Sequence, residues 1–214
     1  MKVISVNVGL PREVEWKGRT VTTGIFKEPA AGRVRLRRLN LDGDGQADLA
    51  VHGGRDKAVY AYPVEHYDYW RRQLPEMDLP FGMFGENLTI EGLFEDEANI
   101  GDRFLIGSAL VMVTQPRMPC YKLGLKFGRD DIIKQFLESG RSGFYLAVIE
   151  EGEIAAGDRI ELIARDENNV KVSDIVRLYA RDKYDVESLR RATRVEALPK
   201  DWRDYFAQRL EKII

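Results

Sequence analysis

Up to Ala164 the apolar residues recur mostly at alternate positions or in short unbroken runs, the period of strands rather than helices. Val3, Ile4, Val6 and Val8 form a β-branched run closed by Gly9-Leu10-Pro11. Between residues 33 and 41, Val34 and Leu36 alternate with Arg33, Arg35 and Arg37, as in a strand with one wet face. Phe104-Leu105-Ile106 and Ala109-Leu110-Val111-Met112-Val113 flank Gly107-Ser108. That two-residue link predicts a hairpin with a type II′ turn, because glycine takes positive φ freely. Further strands are predicted over 58–62, 87–90, 144–149 and 159–163. Many short strands divided by turn residues predict a barrel or sandwich.

Helical spacing breaks in twice. Pro63 starts a helix with Val64, Tyr67, Trp70 and Leu74 along one side. A second is predicted over 130–139, with Ile132, Ile133, Phe136 and Leu137 apolar and Gly140 as its stop. After Ala164 the texture changes: Arg165-Asp166-Glu167-Asn168-Asn169 reads as a polar linker, and three short amphipathic helices follow. Ser173 caps one carrying Ile175, Leu178 and Tyr179; Asp185 caps one carrying Val186 and Leu189. Pro199 starts the third, with Trp202, Phe206, Leu210 and Ile213 on one face. The expected class is α+β, mainly β: a β domain over 1–164, a linker over 165–169 and a three-helix extension over 170–214. So small an extension is expected to dock on the β domain or on a partner.

Charge narrows the function. With 33 Lys+Arg against 35 Asp+Glu the net charge is −2, which argues against a general nucleic-acid binder. No apolar run reaches the ~18 residues of a membrane helix, so no membrane association is expected. The opening Met1-Lys2-Val3-Ile4-Ser5 carries no signal or transit pattern, and one cysteine excludes an internal disulfide; the expectation is a cytoplasmic protein. Two histidines, His52 and His66, and one cysteine are too few for a protein-built zinc site. Walker A, Gly-x-Gly-x-x-Gly and Gly-x-Ser-x-Gly sequences are absent.

Five segments carry candidate chemistry. Cys120 lies in Gln115-Pro116-Arg117-Met118-Pro119-Cys120-Tyr121-Lys122-Leu123, stiffened by two prolines and bracketed by Arg117 and Lys122. Nearby cations favour the thiolate, the form that attacks electrophiles and binds metals. A small cysteine filling a core gap is the other reading. Asp42-Gly43-Asp44-Gly45-Gln46-Ala47-Asp48 begins like a calcium loop but has Ala47 at position 6 and Gly53 at position 12, so calcium is not expected. His52-Gly53-Gly54-Arg55-Asp56-Lys57 offers exposed backbone N–H groups and positive charge, either an anion site or a solvated turn. Phe81-Gly82-Met83-Phe84-Gly85-Glu86-Asn87 and Ser139-Gly140-Arg141-Ser142-Gly143 are further glycine-rich loops, the second placing Arg141 and Ser142 as an anion site would.

In order along the chain, His52-Gly53-Gly54-Arg55-Asp56-Lys57-Ala58-Val59-Tyr60, Phe84-Gly85-Glu86-Asn87-Leu88-Thr89, Ile100-Gly101-Asp102-Arg103-Phe104 and the Gln115-to-Leu123 segment resemble the motifs of the MOSC family, domains related to the C-terminal part of molybdenum cofactor sulfurase. The tail resembles the three-helix extension of its stand-alone bacterial branch. The resemblance implies a β-barrel that binds the molybdenum cofactor (molybdopterin). It places on Cys120 the family cysteine that ligates molybdenum in amidoxime-reducing members, or carries a persulfide in the sulfurase. It implies reduction of N-hydroxylated compounds such as hydroxylaminopurine-type base analogues; the alternative is a sulfur or cofactor carrier without turnover, and a plain anion-binding module is a third reading. Under this resemblance His52, Gly53, Gly54, Arg55, Lys57, Arg141 and Ser142 become candidates for the cofactor phosphate, Arg117 for the anionic dithiolene, and Tyr60 and Asn87 for the pterin. One cysteine cannot hold an iron–sulfur cluster and no flavin motif is present, so a reductase needs an external electron donor, expected to be a flavoprotein reductase docking near the helical tail. Oligomerisation stays open.

Overall fold

The structure is a computed structural model and describes residues 1–48 and 53–213. Twelve strands are found among them: β1 (Lys2–Val8), β2 (Arg12–Trp16), β3 (Arg19–Thr23), β4 (Glu28–Pro29), β5 (Val34–Leu36), β6 (Val59–Pro63), β7 (Leu88–Glu91), β8 (Arg103–Ile106), β9 (Ala109–Pro116), β10 (Phe144–Glu150), β11 (Gly152–Ile154) and β12 (Ile160–Ala164). Six α-helices accompany them: α1 (Glu65–Gln73), α2 (Tyr121–Phe127), α3 (Asp131–Ser139), α4 (Val172–Ala180), α5 (Val186–Arg194) and α6 (Lys200–Glu211). A single 3-10 turn, Arg55–Lys57, precedes β6.

Eight strands form one mixed sheet in the order β12-β8-β9-β10-β6-β7-β1-β4. Its pairs are antiparallel except β6 with β7, where Ala61, Tyr62 and Pro63 stand beside Leu88, Thr89 and Ile90. The β8–β9 hairpin turns through Gly107 at φ 58 with Ile106 opposite Ala109, as the Gly-Ser link predicts. Barrel closure is incomplete among the described residues. The ladder ends at β12 and β4, and the N-terminal stretch meets the start of β12 and the chain before it through an isolated Lys2–Arg159 bridge, with Val3 N–H donating to Asp158 O at 2.9 Å, Gly157 N–H to Val3 O at 2.8 Å and Ile160 N–H to Met1 O at 3.1 Å.

The run over 33–41 makes a strand for only three residues. Val34–Leu36 pairs with β11, and the chain then folds back so that Arg37 N–H reaches Asn40 O and Leu36 faces Leu41. The β2–β3 hairpin lies outside the predicted strands: its faces are mostly polar, and Lys17 and Gly18 both turn at positive φ. Pro63 closes β6, and the helix begins two residues later.

Two apolar clusters form. One fills the sheet and runs on into the C-terminal helices, joining Leu36, Phe104 and Val111 to Ile175, Leu189 and Phe206. Asp185 caps α5 by accepting Ser188 N–H at 3.0 Å, and hydrogen bonding to Ser188 holds its pKa down to about 2. The second cluster is aromatic: Tyr62 stacks on Phe84 at 4.5 Å between ring centroids, and Trp70 on Phe136 at 6.0 Å. Trp70 Nε1–H donates to the Tyr62 hydroxyl at 2.7 Å, satisfying both buried polar tips. None of the described helices is long and apolar enough to cross a membrane.

Candidate functional site

A row of neighbouring residues crosses three adjacent strands and ends just ahead of a fourth. Gln115 on β9 stands opposite Tyr145 on β10, Tyr145 opposite Tyr60 on β6, and Asn87 N–H donates to Tyr60 O at 2.8 Å. Directly opposed residues share one face of a sheet, which brings the Tyr60 and Tyr145 rings to 5.4 Å. The chain leaving β9 turns across this row. Arg117, Met118, Cys120 and Lys122 then form one wall of a cleft, and residues 23–27, 44–47 and 84–87 form the other. The cleft holds about 640 Å³ of atom-free space, its open mouth included.

Glycine makes the second wall possible. A Cβ at Gly24 would run into the Gly45 carbonyl oxygen, and one at Gly85, at φ 81, would stand 2.8 Å from Ile25 Cγ1. The loop behind it hangs on Glu86. This fully buried carboxylate accepts Gly82 N–H at 2.8 Å, Phe84 N–H at 3.1 Å and the Thr89 hydroxyl at 3.0 Å, and it bonds the Tyr67 hydroxyl as well. Burial pushes its pKa up, and the Tyr67, Gly82 and Thr89 donors oppose the push.

Four cationic side chains line the cleft, Lys27, Lys57, Arg117 and Lys122, against one carboxylate, Asp44. Asp44 is engaged by the chain itself: it pairs with Lys27, accepts Gly9 N–H at 2.9 Å and accepts from Asn87 Nδ2 at 2.9 Å. Burial lowers the Lys27 pKa, with Asp44 opposing; burial also lowers that of Lys57, with Asp201 and then Asp56 opposing. Arg117 is 6% exposed and lies 5.5 Å from the Tyr60 ring and 5.1 Å from that of Phe136. Burial raises the Tyr145 pKa while the charge of the Arg117 guanidinium beside the phenol works against it; the nearby Cys120 adds to the rise. Arg117 Nη1 is buried and has no hydrogen-bond partner. A guanidinium donor left unmade in the interior is costly, and an acceptor from outside the chain would relieve that cost.

Cys120 stands at the N-cap position of the seven-residue helix α2 and is partly exposed at the cleft. A lone thiol on a wall of guanidinium and ammonium groups suits a soft metal carried by an anionic ligand set. The residues present therefore fit the group that the resemblance implies. The described residues hold no cluster of three or more His, Cys, Asp or Glu side chains that would bind a metal unaided.

Of the residues expected at the site, Lys57, Tyr60, Asn87, Arg117 and Cys120 come together. Asn87 is spent within the chain: its Nδ2 donates to Asp44, and its Oδ1 accepts Tyr60 N–H at 3.1 Å. Tyr60 donates its hydroxyl to Ser142 O at 2.8 Å. Gly54, at φ 89, and Arg55 open the turn that ends at Lys57, with Gly53 just ahead of them; none of the three lines the cleft. Ser142 is buried behind the wall, and its own hydroxyl turns to Gly143 O at 2.7 Å. Arg141 points away, over the Tyr69 ring at 3.9 Å, into a separate groove. His52 lies outside the described residues. Of the calcium-like loop, Asp42 pairs with Arg37 and Asp44 with Lys27. His66 is buried against Glu95 at 2.8 Å.

Sequence reasoning missed the Lys27–Asp44 pair and the whole 23–27 strip. Asp44 drew notice only as a calcium-like position, and Lys27 carries no local signal.

Comparison with known proteins supplies a context. The family model of the MOSC domain matches residues 48–161, and that of the YiiM-like 3-alpha helix domain matches residues 172–212. The protein YflK of Bacillus subtilis is 41% identical over 212 residues, 99% of this chain and 96% of that protein. A protein of Gibberella moniliformis named reductase is 35% identical over 151 residues, 69% of this chain but 27% of that longer protein. The crystal structure of YiiM from Geobacillus stearothermophilus superposes with a TM-score of 0.82 at 34% identity, covering 98% of both chains.

Proposed function

Because the chain belongs to the MOSC domain family and carries the YiiM-like three-helix extension, we propose that its cleft binds the molybdenum cofactor and that the protein is an oxidoreductase of N-hydroxylated compounds. The observation that carries this reading is the meeting of Cys120 with Arg117, Lys57 and Lys122 in one open cleft, where the buried Arg117 Nη1 waits for an acceptor. The reductase name of a relative that this chain covers only in part supports the reaction class.

Cys120 would hold the metal, and Arg117, Lys57 and Lys122 would hold the anionic ligand set and phosphate. When bound, the cofactor supplies two-electron redox chemistry. Reduction of an N-hydroxylamine takes two electrons and two protons: the N–O bond breaks, the oxygen leaves as water and the amine remains. The chain's share is position and charge. The tyrosine pair Tyr60 and Tyr145 forms an aromatic floor, and the cations bind and orient anionic groups. The electrons come from an external donor, in this reading a flavoprotein reductase.

The test is reduction of 6-hydroxylaminopurine by protein made in a cofactor-competent host, with a chemical reductant as donor. Turnover by the wild type and loss to background in Cys120→Ser is expected. Cyanide-labile sulfur on Cys120 without turnover would instead establish the carrier reading.

A further inference from the structure

The three-helix extension touches the cleft through hydrogen bonds that run to Lys57. Trp202, in the first turn of α6, donates Nε1–H to Gln115 Oε1 at 2.9 Å. Gln115, 5% exposed on β9, donates Nε2–H to Asp56 O at 3.3 Å. The buried Thr114 hydroxyl donates to the same carbonyl at 2.7 Å. That carbonyl belongs to the peptide joining Asp56 to Lys57, so its direction sets the plane from which the Lys57 side chain departs. On the far side, Gln46 Nε2 donates to Lys57 O at 3.4 Å. The 3-10 turn is thus held between the cleft loop and the extension. A buried amide has few orientations that satisfy both its ends, and Trp202 selects the one that leaves Gln115 Nε2 facing Asp56. Asp201, the neighbour of Trp202 on α6, reinforces the link, since its carboxylate supports the Lys57 ammonium charge against burial.

We propose that Trp202 is a positioning residue for Lys57, acting through Gln115 and the Asp56 carbonyl, so that the helical extension sets the affinity of the cleft for its anionic ligand. The proposal rests on the reading of the cleft as an anion site. A purely structural helix would stabilise the fold without a specific effect on one lysine.

The full chain is made as wild type, Trp202→Phe, Lys57→Ala and the double variant, and pyrophosphate binding is measured by calorimetry. Phenylalanine keeps an aromatic ring against Tyr179 and Phe206 but removes the donor. The expected result is an affinity loss of about three- to tenfold in Trp202→Phe, and no further loss when the same change is made on Lys57→Ala. An equal loss in both backgrounds, or none in either, would overturn the proposal. The lysines are also dimethylated with ¹³C and followed by NMR. The Lys57 signal should shift in Trp202→Phe and stay in place in Tyr205→Phe, a control on the same helix. An unmoved Lys57 signal in Trp202→Phe overturns the relay whatever pyrophosphate does. A shifted signal in protein that binds no pyrophosphate would uphold the relay and overturn the anion-site reading.

Discussion

Glu86 and Arg117 are both buried charged side chains beside the same cleft, and the chain treats them in opposite ways. Around Glu86 four donors converge, two from backbone and two from hydroxyls, and the loop over 82–87 takes its shape from them. Around Arg117 the chain supplies two aromatic rings and a phenol and leaves Nη1 without a partner. A satisfied buried charge organises structure; in the proposed function, the one kept incomplete at an opening is there for the ligand.

This contrast can be broken at either end. The largest effect is expected from Glu86→Ala, which strands Gly82 N–H, Phe84 N–H and the Thr89 hydroxyl in the interior and leaves the Tyr67 hydroxyl only Pro80 O at 3.3 Å. A loss of about 3 kcal/mol or more in denaturant unfolding should follow. A loss under about 1 kcal/mol would mean that Glu86 is no staple. Arg117→Met should act the other way round. With a buried charge whose Nη1 lacks a partner replaced by an apolar chain of similar length, stability should hold or rise, while affinity for pyrophosphate falls by about 10- to 100-fold. Loss of stability with unchanged affinity would reverse the roles assigned to the two residues.

The smallest expected effect concerns Lys126 on α2, whose pKa burial pushes down to about 8, with repulsion from Arg12 and Lys27 and attraction from Glu86 as lesser influences. In the unfolded chain this lysine titrates near its ordinary value, so between about 8 and 10.5 the unfolded state binds more protons than the native one. Its contribution to stability therefore rises as pH climbs through that window. Urea unfolding of wild type and Lys126→Met at several alkaline pH values checks it: the variant should lose this rise, and an identical pH dependence in both would contradict the burial argument.

What the sequence disclosed, and what it hid, follows from the range of the interactions. The β8–β9 hairpin, the α3 stop at Gly140 and the Asp185 cap each rest on residues within a few positions, and each is found where expected. Cys120, Arg117 and Lys57 could be nominated because charge and stiffness cluster locally around them. Lys27 meets Asp44 across seventeen positions, and Trp202 meets Gln115 across eighty-seven, so no local pattern signals either. Arg141 shows the converse failure: its glycine-flanked setting suggested an anion loop, yet the ring of Tyr69 draws the side chain into another groove. The three-residue β5 failed for a similar reason, since alternation continues past Leu36 while a turn at Arg37 to Asn40 ends the pairing.

The measurement that tests the central claim most directly is the molybdenum and phosphorus content, by plasma mass spectrometry, of wild type and Cys120→Ala purified from a cofactor-competent host. Molybdenum and phosphorus in near-equal amounts in the wild type, with molybdenum lost in the variant and folding unchanged, is the predicted result. Neither element above background in gently purified wild type, or equal molybdenum in both proteins, would contradict the assignment of the cleft and of its thiol.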